Sequence, residues 1–394
     1  MFLKICAIGF SAFLAYDLVR FPLVPRLAYD LGAGPEMIGV IVAASTITGI
    51  VGKWLTGGLS DSWGRRRLLL IGCGVSAVMP LVYLLVRDYR ALILVRALHG
   101  VTTAILAPVT RAVVSDLAPP NQRGAQLGTF SSAVQMGMSC GRGLGGVLLF
   151  WGGFRFPLLA ATLAGCVAVW LVWTWPETAP RSPQASWRES VRTTFIEARA
   201  MLRSRVLVTI SLVEASQFLV RGAIETFLPI YAIEVAALND SHVGLLLGLQ
   251  MFTLVLAKPL TGLWSDRVGR VPLISIGLLM SSALVWLIPR TTHLGVLSAL
   301  VIAYSIGAAL VTTSNLAWVT DLAETSEGHA GTTRYGASHG LFGTLVDMGH
   351  AAGPLAGGWL IARLEYTGTF LVLSIGLLVI GGALLWSCRR SIAP

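Results

Sequence analysis

The sequence predicts an all-α membrane protein of twelve transmembrane helices in two pseudo-symmetric six-helix halves. Three observations lead there. The first is composition: of 394 residues, 55% are hydrophobic and only 12% charged, about half the charged share of an ordinary soluble domain. The second is a succession of apolar runs, each near the roughly 20 residues a helix needs to cross a bilayer. The third is an internal repeat relating residues 205 positions apart.

The apolar runs place spans near 4–26, 37–59, 68–87, 91–115, 124–149, 155–175, 206–232, 242–263, 271–289, 294–318, 338–362 and 367–387. They occupy roughly 240 residues, so no sizeable water-soluble catalytic domain fits in what is left. Asp17 and Arg20 mark the first span as a retained helix, since a cleaved signal peptide would not carry them. Cys6, Cys73, Cys140, Cys166 and Cys388 lie in apolar stretches without a C-x-x-C pair. They read as small core residues, with neither a disulfide framework nor a metal site.

A net charge of +10 would in a soluble chain suggest nucleic acid as partner. The distribution argues otherwise. With both termini in the cytoplasm, 16 of the 29 Lys and Arg fall on the cytoplasmic side. Six fall outside: Arg26, Arg87, Arg90, Arg155, Arg290 and Arg363. This is the positive-inside pattern, and it points to a multi-pass protein of the cell (inner) membrane whose partner is lipid and not nucleic acid.

The repeat fixes the organisation. Gly57 through Arg65 recurs as Gly262 through Arg270, and the same offset of 205 relates Gly39 to Gly244, Lys53 to Lys258 and Asp116 to Asp321. After a seven-residue insertion the offset becomes 212 and pairs Gly141 with Gly353. The expected domains are residues 1–175, a linker at 176–205, and residues 206–394. In the linker, Trp187, Val191, Phe195, Ala198 and Leu202 share one helical face among arginines, which suits an amphipathic helix on the cytoplasmic leaflet.

Two six-span halves with a G-x-x-x-D-x-x-G-R loop in each resemble the major facilitator superfamily. Three further stretches agree: Arg96-Ala97-Leu98-His99-Gly100, Asp116 through Gly124, and Gly137 through Gly146. The last, with Pro22-Leu23-Val24-Pro25 in the first span, resembles the drug and metabolite:proton antiporter branch. One position departs from that branch: Arg142 stands where its fifth-span motif has proline, and the proline form appears instead as Gly353-Pro354 in span 11. The departure suggests an acidic substrate group near Arg142. Gly141, Gly143 and Gly146 also match a dinucleotide fingerprint, but no strand precedes them. Close helix packing in lipid explains them better.

Charges inside the spans carry the functional expectation. Asp17, Arg20, Arg96, Arg142, Glu214, Arg221, Glu225 and Asp347 would together cost roughly 20 kcal/mol if they faced lipid. They must face a cavity or one another. In span 7, Glu214, Gln217, Arg221 and Glu225 recur at helical spacing, a single stripe. Span 5 offers Ser131, Gln135, Ser139 and Arg142, and span 11 offers His339, Gly343, Asp347 and His350. Desolvation favours the neutral form of a carboxylate there and a nearby arginine the charged form, which makes Asp17, Glu214, Glu225 and Asp347 proton-carrier candidates; the resemblance implies that spans 1, 4, 7 and 10 line a central pathway, with Arg96 as a switchable counter-ion.

The duplicated loops read as a cytoplasmic gate built from Gly57, Asp61, Gly64, Arg65 and Asp116, mirrored by Asp266, Gly269, Arg270 and Asp321. Asp61 is expected against the positive end of a neighbouring helix, and Arg65 against Asp116. No phosphate-binding G-x-x-x-x-G-K-[ST] loop, metal-ligand spacing or nucleophile triad is visible. The expectation is therefore a monomeric secondary transporter without cofactor, exporting a small amphipathic compound by proton-coupled alternating access. The alternatives are a proton-coupled carrier of an anionic metabolite and a non-transporting membrane receptor or scaffold.

Overall fold

A computed structural model describes residues 1–119, 122–178, 204–325 and 333–392. The amphipathic helix expected around Trp187 to Leu202 lies outside them. The described elements are helical. They are α1 (Phe2–Arg20), α2 (Leu23–Asp30), α3 (Pro35–Trp63), α4 (Arg65–Tyr83), α5 (Tyr89–Leu117), α6 (Arg123–Gly152) and α7 (Arg155–Trp173). After the linker come α8 (Arg205–Glu234), α9 (Asp240–Val268), α10 (Arg270–Leu287) with a 3₁₀ turn (Ile288–Arg290), α11 (Leu294–Thr325) and α12 (Thr333–Ile392).

Ten stretches are long and apolar enough to cross a bilayer. One of them, Phe342–Trp386, holds two crossings, because α12 breaks at Glu365, whose φ of 56° and ψ of −176° are not helical. Helix α6 is 30 residues long, ample for a span, but its serines, glutamines and buried arginine make it too polar to be recognised by hydropathy. Counted this way the described residues hold twelve crossings. Their outward surfaces carry large apolar side chains such as Leu163 (68% exposed), Val379 (66%) and Leu94 (65%). Apolar surface on this scale belongs in lipid.

Several sequence expectations need correction. The first span is two helices, because Pro22 lacks the N–H that would continue α1 and forces the preceding Phe21 into extended backbone (φ −142°, ψ 130°). Helices α3 and α11 run past the expected ends to Trp63 and Thr325: hydropathy marks the bilayer core, while backbone hydrogen bonding continues beyond it. Cys166 is exposed and not a core residue. Trp175, just beyond the end of α7, is buried, with the Lys4 ammonium 5.9 Å from its ring centroid.

The chain forms two compact units, Met1–Trp187 with Glu225–Phe252, and Arg188–Ile224 with Thr253–Pro394. They are not the sequence halves, since residues 225–252 belong with the first. In the first unit α1 packs on α6 and α7, α4 on α5 and α7, and α3 on α5. Ile5, Ile8, Leu69, Cys73, Leu106 and Val113 are at its centre. Segment 225–252 joins it through the Arg26–Asp240 pair at 3.7 Å and through Gly244, whose backbone lies against Gly146. In the second unit α10 packs on α11 and α12, where the Ser282 hydroxyl donates to the Ser374 carbonyl at 2.9 Å.

A glycine stripe sets the approach of α6 to α1. A methyl group added at Gly141 would meet the Leu14 carbonyl oxygen at 2.9 Å and the Asp17 Cβ at 3.1 Å. The repeat-related Gly349 and Gly353 press against Ala215 and Leu219 of α8 in the same manner. Gly141→Val is therefore expected to lower stability by about 1–3 kcal/mol through overpacking, read as a lower melting temperature in detergent. Gly128→Ala, with no atom within 4 Å of the added carbon, leaves the melting temperature unchanged or raises it.

Candidate functional site

The close approach of α1 and α6 brings Asp17 and Arg142 face to face. The Arg142 Nε lies 3.3 Å from Asp17 Oδ1, and its Nη1 lies 2.5 Å from Glu225 Oε1 of α8. All three side chains are at most 1% exposed. Phe21, freed from the helix by the Pro22 break, places its ring centroid 5.2 Å from the Arg142 guanidinium. One guanidinium thus stands between two carboxyl groups, all three side chains buried. Asp17 Oδ2 is buried with no hydrogen-bond partner among the described residues. The acidic groups that face Arg142 here are the chain's own, so its place in the motif no longer calls for an acidic substrate.

A second cluster lies alongside in the same unit. Arg96 of α5 is fully buried and donates to the Ser45 hydroxyl of α3. Its guanidinium lies 5.8 Å from the Tyr16 ring centroid, as does that of Arg20. Arg20 also donates to Thr46 Oγ1 at 3.2 Å. His99, one helical turn beyond Arg96, has its ring 4.9 Å from that of Tyr16, and its Nδ1 lies 3.4 Å from the Tyr83 hydroxyl. The sequence reading missed Ser45, Tyr16 and Tyr83, because uncharged polar residues in a span give no signal above the background of helix-packing serines and interfacial tyrosines.

The second unit holds a separate polar cluster. Glu214 of α8 is buried and accepts from Asn315 Nδ2 of α11 at 2.7 Å. Gln217 donates to Ser281 Oγ at 3.2 Å. Arg221 lies 5.5 Å from the Phe218 ring, which in turn meets the His350 ring at 5.8 Å. The charges of Lys258 and Arg221 both act on Glu214. Lys258 was missed as a site residue, although its recurrence with Lys53 marked it. Asp347 is half-buried on α12, and the side chain of His339 lies outside the described residues. Glu214 and Glu225, expected on one stripe, serve different clusters in different units.

The duplicated loops show why their glycines recur. Gly64 (φ +88°) and Gly269 (φ +96°) take a backbone conformation that L side chains rarely adopt. Each turn starts the next helix at its arginine. Arg65 Nη1 lies 2.7 Å from Asp116 Oδ2, a contact of charges off the hydrogen-bonding direction. Arg270 lies 2.6 Å from Asp266 and 3.0 Å from Asp321. Gly57 and Asp61 fall on α3, and the Asp61 side chain lies outside the described residues. Glu177, which the reading of apolar runs passed over, accepts from the backbone N–H groups of Arg65 (2.9 Å) and Arg66 (3.3 Å). It thereby satisfies orphan donors at the start of α4.

Known proteins agree with this architecture. A relative is an uncharacterized MFS-type transporter of Methanocaldococcus jannaschii, 24% identical over 361 residues and covering 91% of each chain. Another is Multidrug resistance protein 1 of Bacillus subtilis, 25% identical over 362 residues, 89% of this chain and 87% of that one. Among solved structures, the nucleoside transporter NupG matches with a TM-score of 0.76 at 14% identity over 98% of each chain. A bacterial homologue of the human lysosomal transporter Spinster matches with a TM-score of 0.78 at 15% identity, covering 98% and 96%. The family model described as Major Facilitator Superfamily matches residues 5–241 and 217–392. The chain belongs to the Major Facilitator Superfamily and is a multi-pass membrane transporter of small molecules, not an enzyme.

Proposed function

We propose that this transporter exports a small amphipathic compound in exchange for protons, acting as a monomer in the cell membrane with both termini cytoplasmic. The observation that carries the proposal is the Asp17–Arg142–Glu225 triad, one arginine between two carboxylates at 1% exposure or less. Both carboxylates can be charged only while Arg142 is shared. When one takes a proton, the other keeps the guanidinium as its full counter-ion, and the site moves from net −1 to neutral without leaving an unpaired charge. A site with two such states can tie proton capture to the position of the helices that carry the acids.

The relative named for multidrug resistance supports the amphipathic substrate, and the loop pairs Arg65–Asp116 and Arg270–Asp321 suit contacts that break and reform during alternating access. The excess of Lys and Arg on one side of the spans supports the orientation. The test is proton flux in proteoliposomes loaded with a pH-sensitive dye and challenged with a panel of amphipathic compounds. Compound-driven proton movement is expected in the unaltered protein and is lost in Asp17→Asn and Glu225→Gln. Transport that proceeds at the same rate whichever way the pH gradient points would sink the proposal.

A further inference from the structure

Of the four buried arginines among the described residues of the first unit, Arg65 pairs with Asp116 at the loop, and the other three outnumber the two buried acids. Asp17 and Glu225 both face Arg142, which leaves Arg96 without a carboxylate among the described residues. Its side chain is 0% exposed and has the hydroxyls of Ser45, Tyr16 and Tyr83 about it, yet Nε and Nη1 meet no acceptor in hydrogen-bond geometry there. The same holds for Arg20 Nε and His99 Nε2. These donors are gathered around one ring: both guanidinium carbons lie 5.8 Å from the Tyr16 centroid, and the His99 ring lies 4.9 Å from it. With the Tyr83 hydroxyl against His99 Nδ1 at 3.4 Å, the tautomer that accepts there presents Nε2–H as a donor.

A guanidinium has five donors and no acceptor, so only an acceptor-rich partner completes it. Leaving such a charge buried without one is strongly unfavourable. A cationic ligand would add to the surplus, and a neutral one would leave it standing. We propose that Arg96, Arg20 and His99 form a recognition site for the acid group of the transported compound, a carboxylate in the first instance, with Tyr16, Tyr83 and Phe21 supplying apolar surface for its body. This rests on the export reading only in taking the substrate to be amphipathic, and it narrows that substrate to an organic acid.

The test uses the full chain purified in detergent and isothermal titration calorimetry at neutral pH. The probes are a phenylalkanoate series, the matching primary amides and the matching amines. The unaltered protein is expected to bind the best carboxylate about tenfold or more tightly than its amide, as for a hydrogen bond to a charged group, and to bind the amine least. Arg96→Gln removes the preference for carboxylate over amide, Arg96→Lys retains part of it, and Arg363→Gln, an exposed arginine elsewhere, retains all of it. Equal binding of carboxylate and amide, no carboxylate binding across the series, or a preference that survives Arg96→Gln would each overturn the assignment. The comparison of probes in the unaltered protein decides even where a variant fails to fold. Intact carboxylate preference with no proton flux would instead overturn the export reading alone.

Discussion

Arg142→Ala is expected to abolish compound-driven proton movement and to destabilise the protein by about 3–5 kcal/mol. The size follows from what remains. Asp17 and Glu225 are each 0% exposed, and without the guanidinium they are two buried anions facing a cavity of side-chain volume. On the proposed role of Arg142 as the shared counter-ion, the loss extends to every substrate, charged or neutral. A variant neutralised at all three positions, Asp17→Asn with Arg142→Gln and Glu225→Gln, separates stability from coupling. It is expected to recover most of the lost stability, since no unpaired charge remains, while proton movement stays absent. Melting temperatures in detergent and dye-based proton flux measure the two properties independently. If Arg142→Ala alone keeps its coupling, the triad is not the coupling site.

Asp17→Asn and Glu225→Gln are expected to push the protein in opposite directions, although each removes one negative charge from the same arginine. Asp17 lies on α1, already fixed to α6 by the glycine stripe, whereas Glu225 reaches Arg142 from α8. Neutralising Asp17 leaves Arg142 wholly to Glu225 and tightens the attachment of segment 225–252. Neutralising Glu225 removes a charge-assisted hydrogen bond from that attachment, worth about tenfold in the balance of attached and released states. A pair of cysteines at Gly143 and Gly248, whose backbones lie side by side, in a background lacking the native cysteines, reads that balance. Cross-linking should rise in Asp17→Asn and fall in Glu225→Gln relative to the parent. Two changes in the same direction would contradict a shared arginine.

Much of the architecture was legible because two unrelated signals coincide. Hydropathy finds the spans, and the duplicated G-x-x-x-D-x-x-G-R loops show that the second six repeat the first. The span at 124–149, α6, is the most polar of them, and it carries Arg142. The charges that matter were legible too, since lipid excludes them unless they are paired. Their partners were not. A helical stripe gives direction but not depth: Glu214 and Glu225 share a face of α8 yet stand roughly 16 Å apart along it, far enough for each to meet different neighbours. Arg142 and Glu225 are separated by 83 positions, and nothing local in either segment announces the pair. Lys258 entered the sequence reading only as the repeat partner of Lys53, and the approach of its charge to Glu214 depends on packing. The backbone capping by Glu177 lies just beyond the apolar run that defined span 6, where reading by hydropathy stops.

The contacts at the end of α7 have a consequence for the order in which the protein is made. Arg66 donates to the Trp173 carbonyl at 2.6 Å, Lys4 to the Thr174 carbonyl at 2.9 Å, and Glu177 holds the first turn of α4. Every partner in this knot lies within the first 178 residues, so a nascent chain possesses the whole of it before any residue of α8 has been synthesised. The first six crossings can therefore be tied off at the membrane while the ribosome is still working. What they lack at that moment is Glu225, and Arg142 must wait beside Asp17 alone until α8 arrives.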